Sequence, residues 1–371
     1  MDLDFTDEQR MLREMVRGLC ADVVSLDVVR ELEDDPKGYR NEFWKQLGEL
    51  DVTGLTIDEG YGGSGMTMLE AVIVYEEFGR SLAPSPHFAS AVMSAGVLSR
   101  AGSDDQKQTW LPRIARGDAV VAPAWLEPGN GFSERGVQLR ATSDAEEVEL
   151  DGTKWHVPFA SSADAFLVLV RIDDAVDCYL VDATTPGIAL QQQKTIASDT
   201  QYAVTFDSVR VSSNARVGTA GSGWTTWTSV MVDGMIMLAA QAMGGAQHAL
   251  EITTQYAKDR EQFDKPLGAF QALAHYLADA KTTVDGGTLL VYEAAWARAQ
   301  DRPVDRLAPM AKLFACQTFR DVTAMAQQIF GGVGFTLEHD IQLYFRRAKQ
   351  LQVSWYDTRT LEELVAAAVL D

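Results

Sequence analysis

The chain has little cysteine and little positive charge for its size. Its three cysteines, Cys20, Cys178 and Cys316, lie far apart, and no CxxC or Cys/His ligand spacing occurs. That spacing argues against a disulfide framework and against a zinc site. Lys and Arg together number 32 against 53 Asp plus Glu, a formal net charge of −21. A charge of this sign repels phosphate polymers and anionic membranes, so nucleic acid is not an expected partner. A small polyanion is still compatible with it, because a few arginines and helix N-termini reverse the field locally. No uninterrupted apolar run approaches the ~20 residues of a membrane span, and the first residues, acidic and amphipathic, do not read as a signal peptide. A cytoplasmic enzyme or binding subunit without a membrane span is the expectation.

What the chain does have is apolar material for real cores: 371 residues, 46% of them hydrophobic, enough for two or three domains. From Phe5 to about Gly117, apolar residues such as Met11, Leu12, Met15, Val16 and Leu19 recur at helical spacing. Between Ala119 and Val217 the pattern turns to short alternating or β-branched runs, among them 147–150, 165–170, 178–181 and 202–206, separated by Asp-Gly, Asp-Asp and Pro-Gly turns. From Gly221 onward helical periodicity returns over 226–258, 265–299 and 304–330. The predicted fold is α+β: an N-terminal helical domain (1–118), a central antiparallel β-barrel or sandwich (119–217) and a C-terminal antiparallel helical bundle (218–371).

Two segments carry a resemblance. The run from Tyr256 through Arg260 and Phe263 to Gln271 resembles the acyl-CoA dehydrogenase signature Y-x-x-x-R-x-x-F-G-x-x-(L/I)-x-x-x-Q, and Gln328-Ile-Phe-Gly331-Gly332-Val-Gly334-Phe335 resembles the Q-x-x-G-G-x-G-F of that family. Glu59-Gly60-Tyr61-Gly62-Gly63, Glu76-Glu77-Phe78-Gly79-Arg80 and Glu127-Pro128-Gly129 follow in matching order, so the resemblance runs from end to end. It implies an FAD-dependent α,β-dehydrogenation of an acyl-CoA thioester, with each flavin shared across a dimer interface and no metal. Arg260, Phe263, Gln271, Gln328, Gly331 and Gly332 match the positions that approach the flavin diphosphate and adenosine. Arginine suits a diphosphate through bidentate charged hydrogen bonds, and glycine lets backbone N–H groups come close.

The half that faces the flavin ring departs from the pattern. Where the family reads V-T-E-P-G-x-G-S-D, this chain reads Trp125-Leu126-Glu127-Pro128-Gly129-Asn130-Gly131-Phe132-Ser133, so Leu126 replaces a threonine hydroxyl. Where the family reads G-x-K-x-W-I-(T/S), an ungapped alignment puts His156 and Pro158 at the Trp and Thr/Ser positions, while a one-residue shift restores Trp155. Glu127 and Trp155 are the residues of this half that the resemblance assigns to the flavin. Asp357 stands where most members carry the glutamate that removes the α-proton, in Trp355-Tyr356-Asp357-Thr358. Three readings of it stay open: a working base, a remnant of one, or a solvated helix-start residue. In a minority of the family the base lies on a bundle helix, at a position that aligns with Gly234, next to Asp233.

The scattered His87, His248, His275 and His339 read as structural residues, and Trp224 and Trp227 as core or interface anchors. Other stretches, Glu76–Pro86 and Gly152–Asp164, resemble an actinobacterial subset that includes enzymes of CoA-linked steroid side chains, some of them α2β2 tetramers. The resemblance therefore implies a subunit of a homo- or heterotetramer that shares its flavin with a partner and passes electrons to an electron-transfer flavoprotein. A self-sufficient dehydrogenase or flavin oxidase using Asp357, and a non-catalytic structural subunit, are the alternatives.

Overall fold

The protein is described by a computed structural model that covers residues 4–143 and 146–370. Along the chain come helices α1 (Asp7–Val23), α2 (Leu26–Glu31), α3 (Asn41–Glu49), α4 (Met68–Ser81), α5 (Ala95–Ala101) and α6 (Asp104–Ala115), with a π-helical segment, Phe88–Ser94, leading into α5. Strands β1 (Val121–Ala124), β2 (Arg140–Ser143), β3 (Glu147–Pro158), β4 (Ala165–Ile172), β5 (Ala175–Asp182), β6 (Ile188–Gln193) and β7 (Gln201–Ser212) follow. Helix α7 (Gly223–Asp259), the two-residue strands β8 (Glu261–Gln262) and β9 (Lys265–Pro266), and helices α8 (Gln271–Ala299), α9 (Leu307–Phe330), α10 (Ile341–Val353) and α11 (Thr358–Leu370) complete it. The expected α+β order of helices, sheet and helices is present.

Local chemistry starts several of these helices. Thr6 with Gln9, Thr67 with Glu70, and Ser103 with Gln106 form capping boxes at α1, α4 and α6, each satisfying orphan backbone donors from both sides. Two compact units result. One comprises residues 1–30, 67–83 and 235–371; the other comprises 31–66 and 84–234.

In the first unit, glycines set how closely α4 meets α7. A Cβ on Gly79 would collide with the carbonyl of Gln241, and one on Gly244 would collide with the carbonyl of Glu76. The two backbones therefore touch reciprocally, which no larger residue permits. Helix α7 is long and apolar enough, by length and composition, to cross a membrane, yet its most apolar 18-residue window is 78% buried inside the protein. Its hydropathy is that of a core helix.

In the second unit, β1 to β7 make one sheet in the order β1-β4-β2-β3-β7-β6, with β5 on the other edge of β4. Inward Val148, Leu150, Val157, Phe166, Val168, Tyr179, Val204 and Phe206 form its core. Most pairs are antiparallel as expected. β1 and β2, however, run parallel to β4, and this corrects the purely antiparallel expectation. The β1–β4 pair becomes possible because the intervening β2–β3 hairpin forms a long crossover. Alternation of side chains reports burial and not strand direction, so the sequence could not show this. A second correction falls at 265–299, where the helix begins only at Gln271 after the β8–β9 hairpin.

Candidate active site

The nucleotide-side candidates all lie in the first unit, at one end of its bundle. Tyr256, on the last turn of α7, stacks 4.4 Å from Phe330, the last residue of α9. That stack brings the turn after α7 and the turn after α9 together. Arg260 continues α7 by one bond, its N–H donating to Tyr256 O at 2.8 Å, and its own carbonyl accepts from Leu267 N at 2.8 Å. Between these, Phe263 (φ 54°) and Asp264 (φ 60°) make the two-residue tip of the β8–β9 hairpin, both left-handed as a type I′ turn requires. The turn leaves Phe263 86% exposed, its ring edge-on to Phe270.

Gln271 opens α8, and Gln328 lies on the last turn of α9; both are exposed, as is Arg260. None of the three side chains has an intrachain hydrogen bond or ion pair among the described residues. Gly331 adopts φ 65°, ψ −139°, a region essentially confined to glycine. Gly332 needs no such backbone, and a Cβ there would meet nothing within 4 Å.

The ring-side candidates lie in the second unit. Leu126 and Trp155 form an isolated bridge, Trp155 N donating to Leu126 O at 2.9 Å. Beside it Lys154 is fully buried, and its Nζ donates to Glu127 Oε1 at 2.6 Å. The same carboxylate oxygen accepts the backbone N–H groups of Gln138 and Leu139, both at 2.8 Å. Glu127 thus spends its charge inside the chain, tying the 127–139 loop to β3. Burial pushes the Lys154 ammonium down to about 8 against the pull of Glu127. Between Lys154 and Val157 the β3–β7 register slips by one, so Trp155 and His156 together face Ala203 in a bulge, with His156 left-handed at φ 54°. The bulge is the physical reason that the sequence allowed two alignments here. Trp155 is left 40% exposed, while the His156 ring is held by Gln201 at 2.9 Å.

The two base positions differ sharply. At Gly234, a Cβ would lie 3.0 Å from Met93 Sδ and 3.1 Å from the Phe88 ring, so a longer side chain there would have to displace these two side chains. Neighbouring Asp233 is paired with Arg100. Asp357 instead caps α11: its Oδ1 accepts Thr360 N at 2.9 Å and Thr360 Oγ1 at 2.8 Å. Its Oδ2 accepts no hydrogen bond among the described residues.

The family models for the N-terminal, middle and C-terminal domains of acyl-CoA dehydrogenase match residues 6–118, 122–209 and 221–354. A probable acyl-CoA dehydrogenase of Bacillus subtilis, YngJ, is 30% identical over the whole length of both chains. The chain belongs to the acyl-CoA dehydrogenase family. Among solved acyl-CoA dehydrogenases, butyryl-CoA dehydrogenase of Megasphaera elsdenii is similar at TM-score 0.93 and 26% identity, with both chains covered in full. A chain of the ChsE4-ChsE5 complex of Mycobacterium tuberculosis is similar at TM-score 0.91 and 28% identity, over 100% of this chain and 99% of that one.

For the FAD of an acyl-CoA dehydrogenase, the two halves fit unequally. The nucleotide end fits: among the described residues, an unpaired exposed guanidinium, two unpaired side-chain amides, and a glycine with open space where a Cβ would stand. The ring end offers an alkyl group at Leu126 and, at Pro158, neither a hydroxyl nor an N–H. Sequence reasoning assigned no role to two buried lysines, Lys154 and Lys312. The signal for Lys312 was its place on the apolar stripe of α9, in line with Ala308, Ala315 and Phe319, all fully buried. A charge in such a stripe needs a dedicated set of partners. The histidines do not converge: His87 is buried against Val52 O, His248 pairs with Glu251, and His339 packs on Phe330.

Proposed function

We propose that this chain works as one subunit of an FAD-dependent acyl-CoA dehydrogenase, contributing the nucleotide-side half of a flavin site whose ring-side half belongs to a different, more complete partner. The observation that carries this reading is the asymmetry between the halves: an open Arg260–Gly332 end whose Arg260 side chain is unpaired among the described residues, and ring-side positions, Leu126 and Pro158, that carry no hydroxyl. Its similarity to a chain from a two-protein complex is in keeping with such a division of labour. The reading includes the threefold organisation 1–118, 119–217 and 218–371, an α2β2 assembly, and an electron-transfer flavoprotein as acceptor.

In this reading Arg260 neutralises the flavin diphosphate, Gly332 lets the backbone approach it, and Phe263 covers the nucleotide with its exposed ring. Bound FAD supplies the acceptor for the β-hydride of the thioester. Asp357 supports a second reading, in which the chain also dehydrogenates an acyl-CoA by itself. Its uncommitted Oδ2 takes the α-proton: the C–H bond breaks, an O–H bond forms, and the electron pair passes toward the thioester carbonyl.

Flavin content separates the two. The chain purified alone should hold well under one flavin per chain and should not be bleached by acyl-CoA; co-expressed with its partner, the assembly should be yellow and bleach. One tightly held flavin in the lone chain, reduced by an acyl-CoA, would establish the self-sufficient reading instead.

A further inference from the structure

Lys312, on the second turn of α9, is fully buried, and among the described residues it forms no ion pair. Its Nζ donates instead to three backbone carbonyls: Tyr356 at 2.8 Å, Ser354 at 3.1 Å and Leu351 at 3.2 Å. Three ammonium protons meet three acceptors, so the group is saturated. Those carbonyls belong to the last turn of α10 and to the linker that enters α11. One turn along α9, Cys316 Sγ lies 3.5 Å from the same Leu351 carbonyl.

The linker needs holding. Trp355 (φ 54°) and Tyr356 (φ 76°) are consecutive left-handed residues and neither is glycine, a conformation that bulky side chains adopt only when the surroundings over-determine it. Tyr356 is buried, and Asp357 follows it directly as the cap of α11. Burial lowers the ammonium's proton affinity, while the nearby Asp357 carboxylate favours its protonated form. The Asp357 carboxylate thus sits between two fixed points, the first turn of α11 and the carbonyl that Lys312 grips one residue earlier.

We propose that Lys312 is the positioning residue for the Asp357 carboxylate, clasping the 351–356 turn by its carbonyls so that Oδ2 keeps a fixed aim. The proposal rests on the reading of Asp357 as the α-proton base, and that half of the chemistry can be observed without hydride transfer. An acyl-CoA analogue with sulfur at its third carbon has acidified α-protons. In D2O, the base removes one of them, the electron pair delocalises into the thioester, and deuterium returns from the exchanged carboxyl, so no oxidant is consumed.

The flavin-loaded assembly is incubated with this analogue, and deuterium at the α-carbon is followed by mass spectrometry. Lys312→Met should slow exchange by about 10- to 100-fold, the usual consequence of a misplacement near 1 Å. In an Asp357→Ala background it should have no further effect, whereas Lys312→Gln, which keeps a donor, should recover part of the rate. An equal loss in both backgrounds would mean that Lys312 merely supports the fold, and would overturn the proposal. If Asp357→Ala leaves exchange unchanged, the base reading falls on its own. Amide deuterium uptake then decides the clasp: Lys312→Met should speed uptake over 353–361 and leave α8 unchanged, and unaltered uptake over 353–361 would refute the clasp. Should Lys312→Met fail to fold, Lys312→Gln carries both measurements.

Discussion

Arg260 and Lys154 show two opposite uses of positive charge in one chain. Lys154 is enclosed and consumed by Glu127, and removing one partner of such a pair leaves an uncompensated buried charge. Arg260 is exposed and paired with nothing among the described residues, so the fold does not need it. If it binds the flavin diphosphate, Arg260→Ala should weaken flavin retention by about 10- to 150-fold, the worth of a charge-assisted hydrogen bond, with the melting curve of the apoprotein unchanged. Flavin content after dialysis of the assembled protein checks this, and wild-type retention would remove the whole nucleotide-side assignment. At this scale the spacing of two motifs singles out Arg260, Gly331 and Gly332, and the fold places them at one end of the bundle. The sequence was silent on what residues touch, so the internal engagement of Glu127 and the carbonyl partners of Lys312 became visible only with the fold.

Among elements, the β8–β9 hairpin is where pattern and structure diverge most. The segment from Lys265 onward has helical periodicity, but Pro266 lacks the N–H that a helix interior uses, and the tip places an aromatic residue at positive φ. Phe263 therefore carries local strain, retained in our reading because its exposed ring serves the nucleotide. Phe263→Asn, which tolerates the left-handed conformation better, should stabilise the hairpin by roughly 0.5–1 kcal/mol and at the same time weaken flavin retention. Amide exchange over 260–267 and flavin titration measure the two effects separately. Loss of stability together with loss of flavin would mean that the ring packs for the fold. The long helices and the inward faces of the strands were legible because burial imposes a period. The parallel β1–β4 pairing was not, since strand direction leaves the alternation unchanged, and the bulge at 155–156 was not, since one extra residue only interrupts the alternation between Lys154 and Val157.

For the whole molecule, two buried groups make stability depend on pH in opposite directions. Burial pushes the His87 imidazole down to about 4 from 6.5. The unfolded chain therefore binds a proton that the fold refuses, and this contribution is full above pH 6.5 and lost as pH falls toward 4. Burial pushes the Glu76 carboxyl up to about 7 from 4.5, against the pull of Arg13. Here the fold keeps a proton that the unfolded chain releases, so stability is full below pH 4.5 and declines as pH rises through 7. Between pH 4.5 and 6.5 the two slopes oppose, and wild-type stability should change little. Burial also lowers the His339 imidazole, so His87→Gln combined with His339→Gln should expose the Glu76 slope, seen as denaturation midpoints that fall from pH 4.5 to 7. A flat profile for the variant would contradict the assignment. If the flavin site is shared between chains, as proposed, the protein must also assemble. Light scattering should give a multiple of the 40.7 kDa chain mass for the flavin-bound protein, and a flavin-retaining monomer would sink the reading.

The reciprocal contact of Gly79 and Gly244 bears on how such a chain can change over generations. Each glycine is held by the other helix's carbonyl, so neither position can accept a side chain without parting α4 from α7. The constraint is purely architectural and takes no account of whether the chain performs chemistry. In a lineage released from selection for catalysis but still selected to assemble, Leu126 and Pro158 mark the kind of position free to drift, while the paired glycines are not. Form and chemistry thus answer to separate constraints, and a chain of this architecture can lose a reactive side chain while the contact between α4 and α7 is kept.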